Sequence, residues 1–110
     1  MSFASTRNEL FMREYLIRAT NDDEFNIHLS KWPEVLRPKS YPSKVIEGWG
    51  LLRLEVLGCE ISFSAEPPGT QIVFESSSIS SEVADQIVRE ILESAEAFTG
   101  QQGKIIPMQD

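Results

Sequence analysis

Residues 52 to 75 alternate apolar and polar side chains in three consecutive runs, and this alternation constrains the fold more than any other feature. Successive side chains of a β-strand point to opposite faces of a sheet, so each run predicts a strand with one apolar face. Three such strands joined by short connections predict an antiparallel meander. The apolar members of the runs are Leu52, Leu54, Val56, Cys59, Ile61, Phe63, Ala65, Ile72 and Phe74.

The connection between the first two runs predicts their register. A tight turn at residues 57–58 places Val56 opposite Cys59, and steps of two along both strands keep apolar residues opposite apolar residues. The same register sets two acidic side chains, Glu55 and Glu60, directly opposite each other on the polar face. Such a like-charged pair is unfavourable by up to ~1 kcal/mol, which a neighbouring cation can relieve only in part.

Pro68 and Gly69 suit the two central positions of a type II turn between the second and third runs. That turn places Ala65 opposite Ile72, and the apolar faces again agree. Because a slip by one residue would turn every side chain over, two turns that give one apolar face support the meander. Either connection can contain a bulge, since hairpins prefer the mirror-image turn types.

Residues 81–99 give the clearest helical pattern of the chain. Ser80 is suited to the N-cap and Gly100 to the C-terminal stop. The apolar stripe between them consists of Val83, Ala84, Ile87, Val88, Ile91, Leu92, Ala95 and Phe98. This stripe must be buried, and the apolar face of a meander of three to four strands is its natural partner, so we expect a two-layer α+β fold. The isoleucines at 105–106 predict a short edge strand that Pro107 ends.

The N-terminal part of the chain is harder to interpret. A capping box and the helical spacing of the apolar residues that follow it predict an N-terminal helix from about Arg7 to Ala19. A strand over "EYLIRAT" is the alternative, because Tyr, Ile and Thr favour strands. Three prolines between residues 32 and 44 predict a Pro-rich connector that starts with one helical turn.

The length of 110 residues is a common domain size, so we expect a single domain over residues 1–110. The longest apolar runs are far shorter than the ~20 residues that cross a bilayer, and the first residues lack the apolar segment of a secretory signal. The single cysteine cannot form an internal disulfide. These points together predict a cytoplasmic protein that does not span a membrane.

The net charge of −7 is unevenly distributed along the chain. Residues 1–44 contain seven Lys and Arg against six Asp and Glu, a net +1, whereas residues 45–110 contain three against eleven, a net −8. Such a field repels nucleic acid and anionic lipid, and it speeds encounter with a basic protein. The alternative is that the acidic surface serves only to keep the protein in solution.

No residue pattern indicates catalysis, a cofactor or a metal ion. His28 is the only histidine, which excludes a site with two histidine ligands. Cys59 belongs to the apolar set of the second strand and is followed by Glu60, whereas a reactive thiolate needs positive charge nearby. We therefore expect a protein that is not an enzyme and holds no cofactor or metal.

The candidate partner-binding residues surround Trp49, which lies between two glycines at the start of the first strand. Counting back by twos from Leu52 puts Gly50 on the apolar face, so Trp49 and Leu51 lie on the polar face of the sheet. There the indole is either covered by the N-terminal helix or the segment around Trp32 as a third layer, or exposed as an aromatic anchor. In the second case the partner-binding residues are Trp49, Arg53, Glu55, Glu60, Glu66 and Glu75.

The sequence thus favours a small acidic binding module whose sheet face or last helix docks a basic partner protein. The expected role is to neutralise or regulate a partner of toxin or nuclease type, as an immunity protein or inhibitor does. The alternative is a small-molecule site or enzyme subunit, with a pocket between the sheet and the N-terminal segment that contains Glu55, Glu60 and His28. A homo-oligomer that uses the exposed edge of the meander is a third hypothesis.

Overall fold

The structure is a computed structural model, and it describes residues 13–21, 24–67, 69–76 and 78–107. The strands and helices in chain order are β1 Arg13–Ala19, α1 Trp32–Val35, β2 Lys44–Val45, β3 Leu52–Val56, β4 Cys59–Glu66, β5 Gly69–Phe74, α2 Ser81–Thr99 and β6 Gly103–Pro107. The strands form one antiparallel sheet in the order β2-β3-β4-β5-β1-β6. The α+β class is therefore confirmed, whereas the sheet has six strands where the sequence predicted three to four.

Helix α2 packs against one face of the sheet, and the two layers enclose the hydrophobic core. Strands β4 and β5 contribute Phe63 and Phe74, and α2 contributes Ile87 and Ile91, all fully buried. Burying a side chain of this size stabilises the fold by about 1.5–3 kcal/mol. Cys59 lies in the same core, as its place in the apolar set predicts. We call the opposite face of the sheet the outer face.

Both ends of α2 lie where the sequence predicts them. The side chain of Ser80 accepts a hydrogen bond from the N–H of Val83 at 3.2 Å, and Gly100 ends the helix in the left-handed conformation with φ of +76°. Each cap satisfies backbone groups that the helix itself leaves without partners. Apart from Phe98, the apolar stripe between the caps faces the sheet, as expected.

Phe98 departs from the predicted stripe, because its ring is 52% exposed in the last turn of α2. Close to that turn the space against β6 is filled by other side chains. A Cβ atom added at Gly103 would overlap the ring of Phe25 and approach Leu92 to 2.7 Å. Phe25, which the sequence pattern left unassigned, thus takes the place beside β6.

Residues 13–19 form a strand, so the predicted helix from Arg7 to Ala19 is wrong over this part. Residues 7–12 lie outside the described residues. Tyr15 and Ile17 are buried while their neighbours are half-buried, which is the two-residue period of a strand. Strand β1 lies between β5 and β6 and pairs with both, so partners distant in sequence outweigh the local helical spacing.

The register of β3 and β4 is the predicted one. Val56 lies opposite Cys59, and Leu52 lies opposite Phe63. The connection at residues 57–58 has positive φ at both positions, +54° at the leucine and +78° at the glycine. Positive φ at both central positions is the mark of a type I′ hairpin turn, which matches the twist of the flanking strands.

The register of β4 and β5 differs from the prediction by two residues. Ala65 lies opposite Thr70 instead of Ile72, and Gly69 is the first residue of β5 instead of a turn residue. Pro68, the other predicted turn residue, lies outside the described residues. A shift of two leaves every side chain on its predicted face, so the hydrophobic pattern alone does not distinguish the two registers.

The connector lies along α2. As predicted, one helical turn, α1, starts the connector with Pro33 in its first turn. The N–H of Ser40 donates to a carboxylate oxygen of Glu90 at 2.8 Å, and the hydroxyl of Tyr41 donates to the side-chain oxygen of Gln86 at 3.0 Å. These bonds hold the connector on the helix side of the molecule.

Strand β6 is an edge strand, as the sequence predicts, and it offers few free N–H groups. The N–H of Gly103 donates to the Glu96 carboxylate at 2.8 Å, and Pro107 has no N–H. In the antiparallel pattern the N–H groups of residues 104 and 106 point toward β1. Within β6, Ile105 is therefore the one residue whose free N–H points away from the sheet edge. Such an edge is poorly suited to pairing with a second copy.

None of the described helices has the length and apolarity that a membrane span requires.

Candidate protein-binding site

Three carboxylates lie side by side across one end of the outer face. Glu55 of β3 is opposite Glu60 of β4 on one side and Lys44 of β2 on the other. Glu75 follows directly after β5, and its N–H donates to the carbonyl oxygen of Glu60 at 2.8 Å. We call Glu55, Glu60 and Glu75 the acidic row.

Arg53 lies two residues before Glu55 on the same face and neutralises part of the acidic row. Its Nε and Nη2 both donate to Oε1 of Glu60, at 3.1 and 2.7 Å, and its Nη1 lies 3.5 Å from Oε2 of Glu75. The Arg53 side chain is only 10% exposed, so these ion pairs are less screened by solvent than ordinary surface pairs. One guanidinium thus links strands β3, β4 and the end of β5.

Ser62 extends this network. Its hydroxyl donates to Oε2 of Glu75 at 2.9 Å. Ser62 lies directly opposite Arg53 on one side and Val73 on the other, so its hydroxyl reaches Glu75 diagonally. Ser62 and Val73 are both buried although they belong to the outer face.

The segment Gly48–Trp49–Gly50 lies against Arg53. A Cβ atom at Gly48 would overlap Cδ of Arg53, so only glycine allows the backbone to approach this side chain so closely. Gly50 has φ of +99°, a region that other residues rarely adopt, and a Cβ there would be 3.1 Å from the carbonyl oxygen of Phe63. The two glycines therefore set the path of the chain on either side of the tryptophan.

Trp49 is exposed, with 57% of its surface accessible. One face of the indole meets Arg53, whose Cζ lies 5.2 Å from the ring centroid, which is a cation–π contact. Leu51 is also exposed. Trp32 is part of the buried core on the α2 side, so the segment around it is not the covering layer that the sequence left open. Trp49 thus has the exposure that the anchor hypothesis requires.

Glu66 is the one predicted site residue that lies apart from the others. It is at the end of β4, opposite Gly69, and six residues from Glu60 along the strand. At about 3.3 Å per residue the separation is roughly 20 Å. The structure therefore groups Trp49 and Arg53 with the acidic row and leaves Glu66 at the far end of the same face.

Lys44 also belongs to the site. From the sequence it falls at the end of the Pro-rich connector, whereas in the structure it starts the two-residue strand β2 and lies opposite Glu55. Two residues are too short for an alternation to be recognised, so no sequence signal predicts this pairing.

The side chains of His28 and Cys59 make polar contacts within the protein. Nδ1 of His28 accepts a hydrogen bond from the N–H of Ser30 at 3.1 Å, in the short 3-10 helix before α1, and the imidazole is exposed. The thiol of Cys59 is buried beside the hydroxyl of Ser76, with Sγ and Oγ 3.6 Å apart. Within the described ranges, no three His, Cys, Asp or Glu side chains are grouped as a metal site would require.

The acidic side chains of α2 are partly engaged within the protein. Asp85 accepts a 2.6 Å hydrogen bond from the hydroxyl of Tyr15, and burial together with Asp85 raises the pKa of that tyrosine. Hydrogen bonding from Ser40 lowers the pKa of Glu90 below its ordinary value. Glu96 accepts from the backbone of β6. Fewer of these carboxylates are free for a partner than the sequence suggests.

Comparison of the chain with protein-family models, with curated proteins and with solved structures found no match.

Proposed function

We propose that this chain is a small protein-binding module that neutralises or regulates a basic partner protein of toxin or nuclease type. Its action would resemble that of an immunity protein or inhibitor in the cytoplasm, and its role is binding and not catalysis. The observation that carries the proposal is the exposed indole of Trp49 beside the acidic row. An exposed aromatic side chain surrounded by charged groups has the composition of an interface hot spot.

The distribution of charge supports a basic partner. On the outer face the three carboxylates of the acidic row lie beside two cations, Arg53 and Lys44, so this patch has a net charge of only −1. The long-range field comes instead from the whole chain, with its net charge of −7. Such a field steers a basic protein toward the surface, whereas it repels nucleic acid and anionic membranes.

Affinity capture from an extract of the source cells, followed by calorimetry with the purified partner, tests this proposal. The baits are the wild-type chain, Trp49→Ala and the matched control Phe98→Ala. Trp49 and Phe98 are similarly exposed, at 57% and 52%, but Phe98 is on α2, on the other side of the sheet. We expect the wild type and Phe98→Ala to bind one basic protein, and Trp49→Ala to bind it at least about tenfold more weakly.

The dependence on salt is the second criterion. Raising the ionic strength screens the charges and should weaken binding, mainly through slower association. A captured partner without excess positive charge, or equal affinities of the Trp49→Ala and Phe98→Ala variants, would contradict the proposal. The stability of each bait is measured first, so that loss of binding is not confused with unfolding.

A further inference from the structure

We infer that Arg53 is a positioning residue for binding: it holds one face of the Trp49 indole, so that a partner meets the opposite face as an ordered apolar surface. This inference depends on the proposed function for its consequence on affinity. Its structural part, the restraint of the indole by Arg53, can be tested in the isolated chain.

The geometry places a fixed cation behind the indole. Cζ of Arg53 lies 5.2 Å from the ring centroid of Trp49. The guanidinium is itself held by two hydrogen bonds to Glu60 and an ion pair with Glu75, and the backbone at Gly48 packs on its Cδ. An exposed tryptophan that is ordered before binding loses less conformational freedom in the complex, which is worth about two- to tenfold in affinity.

The same cation determines which chemical group the exposed face of the indole accepts. A ring that already contacts one guanidinium attracts a second cation weakly, because the two positive charges repel each other across the ring. An aliphatic or aromatic group of the partner is therefore the better match for Trp49. The partner's lysines or arginines instead meet Glu60, which is 49% exposed and uses only Oε1 to accept from Arg53. The partner surface that fits is an apolar pocket flanked by basic residues.

Fluorine NMR of the chain labelled with 5-fluorotryptophan tests the restraint directly. The chain has two tryptophans, and the Trp49→Phe variant assigns their signals. We expect Arg53→Ala to shift the Trp49 signal toward that of the free amino acid and to increase its fast motion in relaxation measurements. Arg53→Lys should restore part of the effect. Lys44→Ala, which removes the same charge from the same face, should leave the Trp49 signal unchanged. An unchanged Trp49 signal in folded Arg53→Ala overturns the inference.

Binding to the captured partner gives a second test, because positioning and charge act in opposite directions. Arg53→Ala makes the surface more negative, so charge alone would tighten binding of a basic protein. Positioning predicts that Arg53→Ala binds about two- to tenfold more weakly, while Arg89→Ala, which removes the same charge from the exposed side of α2, binds as well as the wild type or better. Tighter binding by both variants overturns the positioning role and leaves the proposed function intact. Failure to find a basic partner removes the proposed function, and the NMR result still decides whether Arg53 restrains the indole.

Discussion

The close approach of Gly48 to Arg53 predicts that Gly48→Ala is more damaging than the same change at Gly58. Both glycines have positive φ, +157° and +78°, and an alanine in either conformation is strained by at least about 1 kcal/mol. A Cβ at Gly58 would meet nothing within 4 Å, whereas one at Gly48 would overlap Cδ of Arg53 and lie 2.8 Å from Nε. Gly58→Ala is therefore the matched control for backbone strain.

The additional loss of stability in Gly48→Ala depends on whether the Arg53 side chain stays in place or moves. If Arg53 stays in place, the overlap costs about 1–3 kcal/mol, as for other overpacked sites. If it moves, it loses its hydrogen bonds to Glu60 and its contact with Trp49, which costs a similar amount. We therefore expect the free energy of unfolding to fall by about 2–5 kcal/mol in Gly48→Ala and by about 1–2 kcal/mol in Gly58→Ala.

Urea unfolding followed by far-UV circular dichroism measures both free energies, and the fluorine signal of Trp49 reports on the site itself. We expect the Trp49 signal to shift in Gly48→Ala and to remain at its wild-type position in Gly58→Ala. Equal unfolding midpoints for the two variants, together with an unshifted Trp49 signal, would show that the close approach of Gly48 does not position the Arg53 side chain.

Two further predictions concern the hairpin turn and the connector. Leu57 has φ of +54°, a left-handed conformation that asparagine tolerates and β-branched residues do not. Leu57→Asn should therefore raise the free energy of unfolding by about 0.5–1 kcal/mol and the Tm by a few degrees, whereas Leu57→Val should lower both. Thermal unfolding in which the valine variant is more stable than the asparagine variant would contradict this prediction. Glu90 has a lowered pKa, so the stability it contributes is present above its ordinary pKa of 4.5 and is lost as the pH falls through the lowered value. Glu90→Gln should therefore lower the free energy of unfolding by about 0.5–1 kcal/mol at neutral pH and by less in acid, and a difference that grows in acid would show that the bond from Ser40 is not its source.

The sequence predicts which residues of the candidate site share a face of the sheet better than it predicts which of them are in contact. Alternation puts Arg53, Glu55 and Glu60 on one face, and the turn at residues 57–58 fixes which of them are opposite each other. Nothing in the local pattern indicates that Arg53 contacts Trp49, because that contact depends on how the chain bends at the two glycines. The pairing of Lys44 with Glu55 is likewise invisible in a two-residue strand.

The sequence by itself determined the elements whose information is local. Helix α2 has an N-cap, a C-terminal glycine and an apolar stripe with helical spacing along its length. The β3–β4 hairpin has a two-residue turn between strands whose apolar residues lie opposite each other. In both cases residues close in the chain select the same structure, so no distant contact is needed to decide it.

Only the tertiary structure decided β1 and the register of β5. The residues around Tyr15 fit both a helical and a strand period, and the strand forms because the sheet provides partners on both sides, β5 and β6. The β4–β5 register is one of two that keep the same side chains buried, so hydrophobic burial cannot choose between them. Side-chain periodicity fixes which face a residue occupies, whereas its neighbours on that face depend on strands that are distant in sequence.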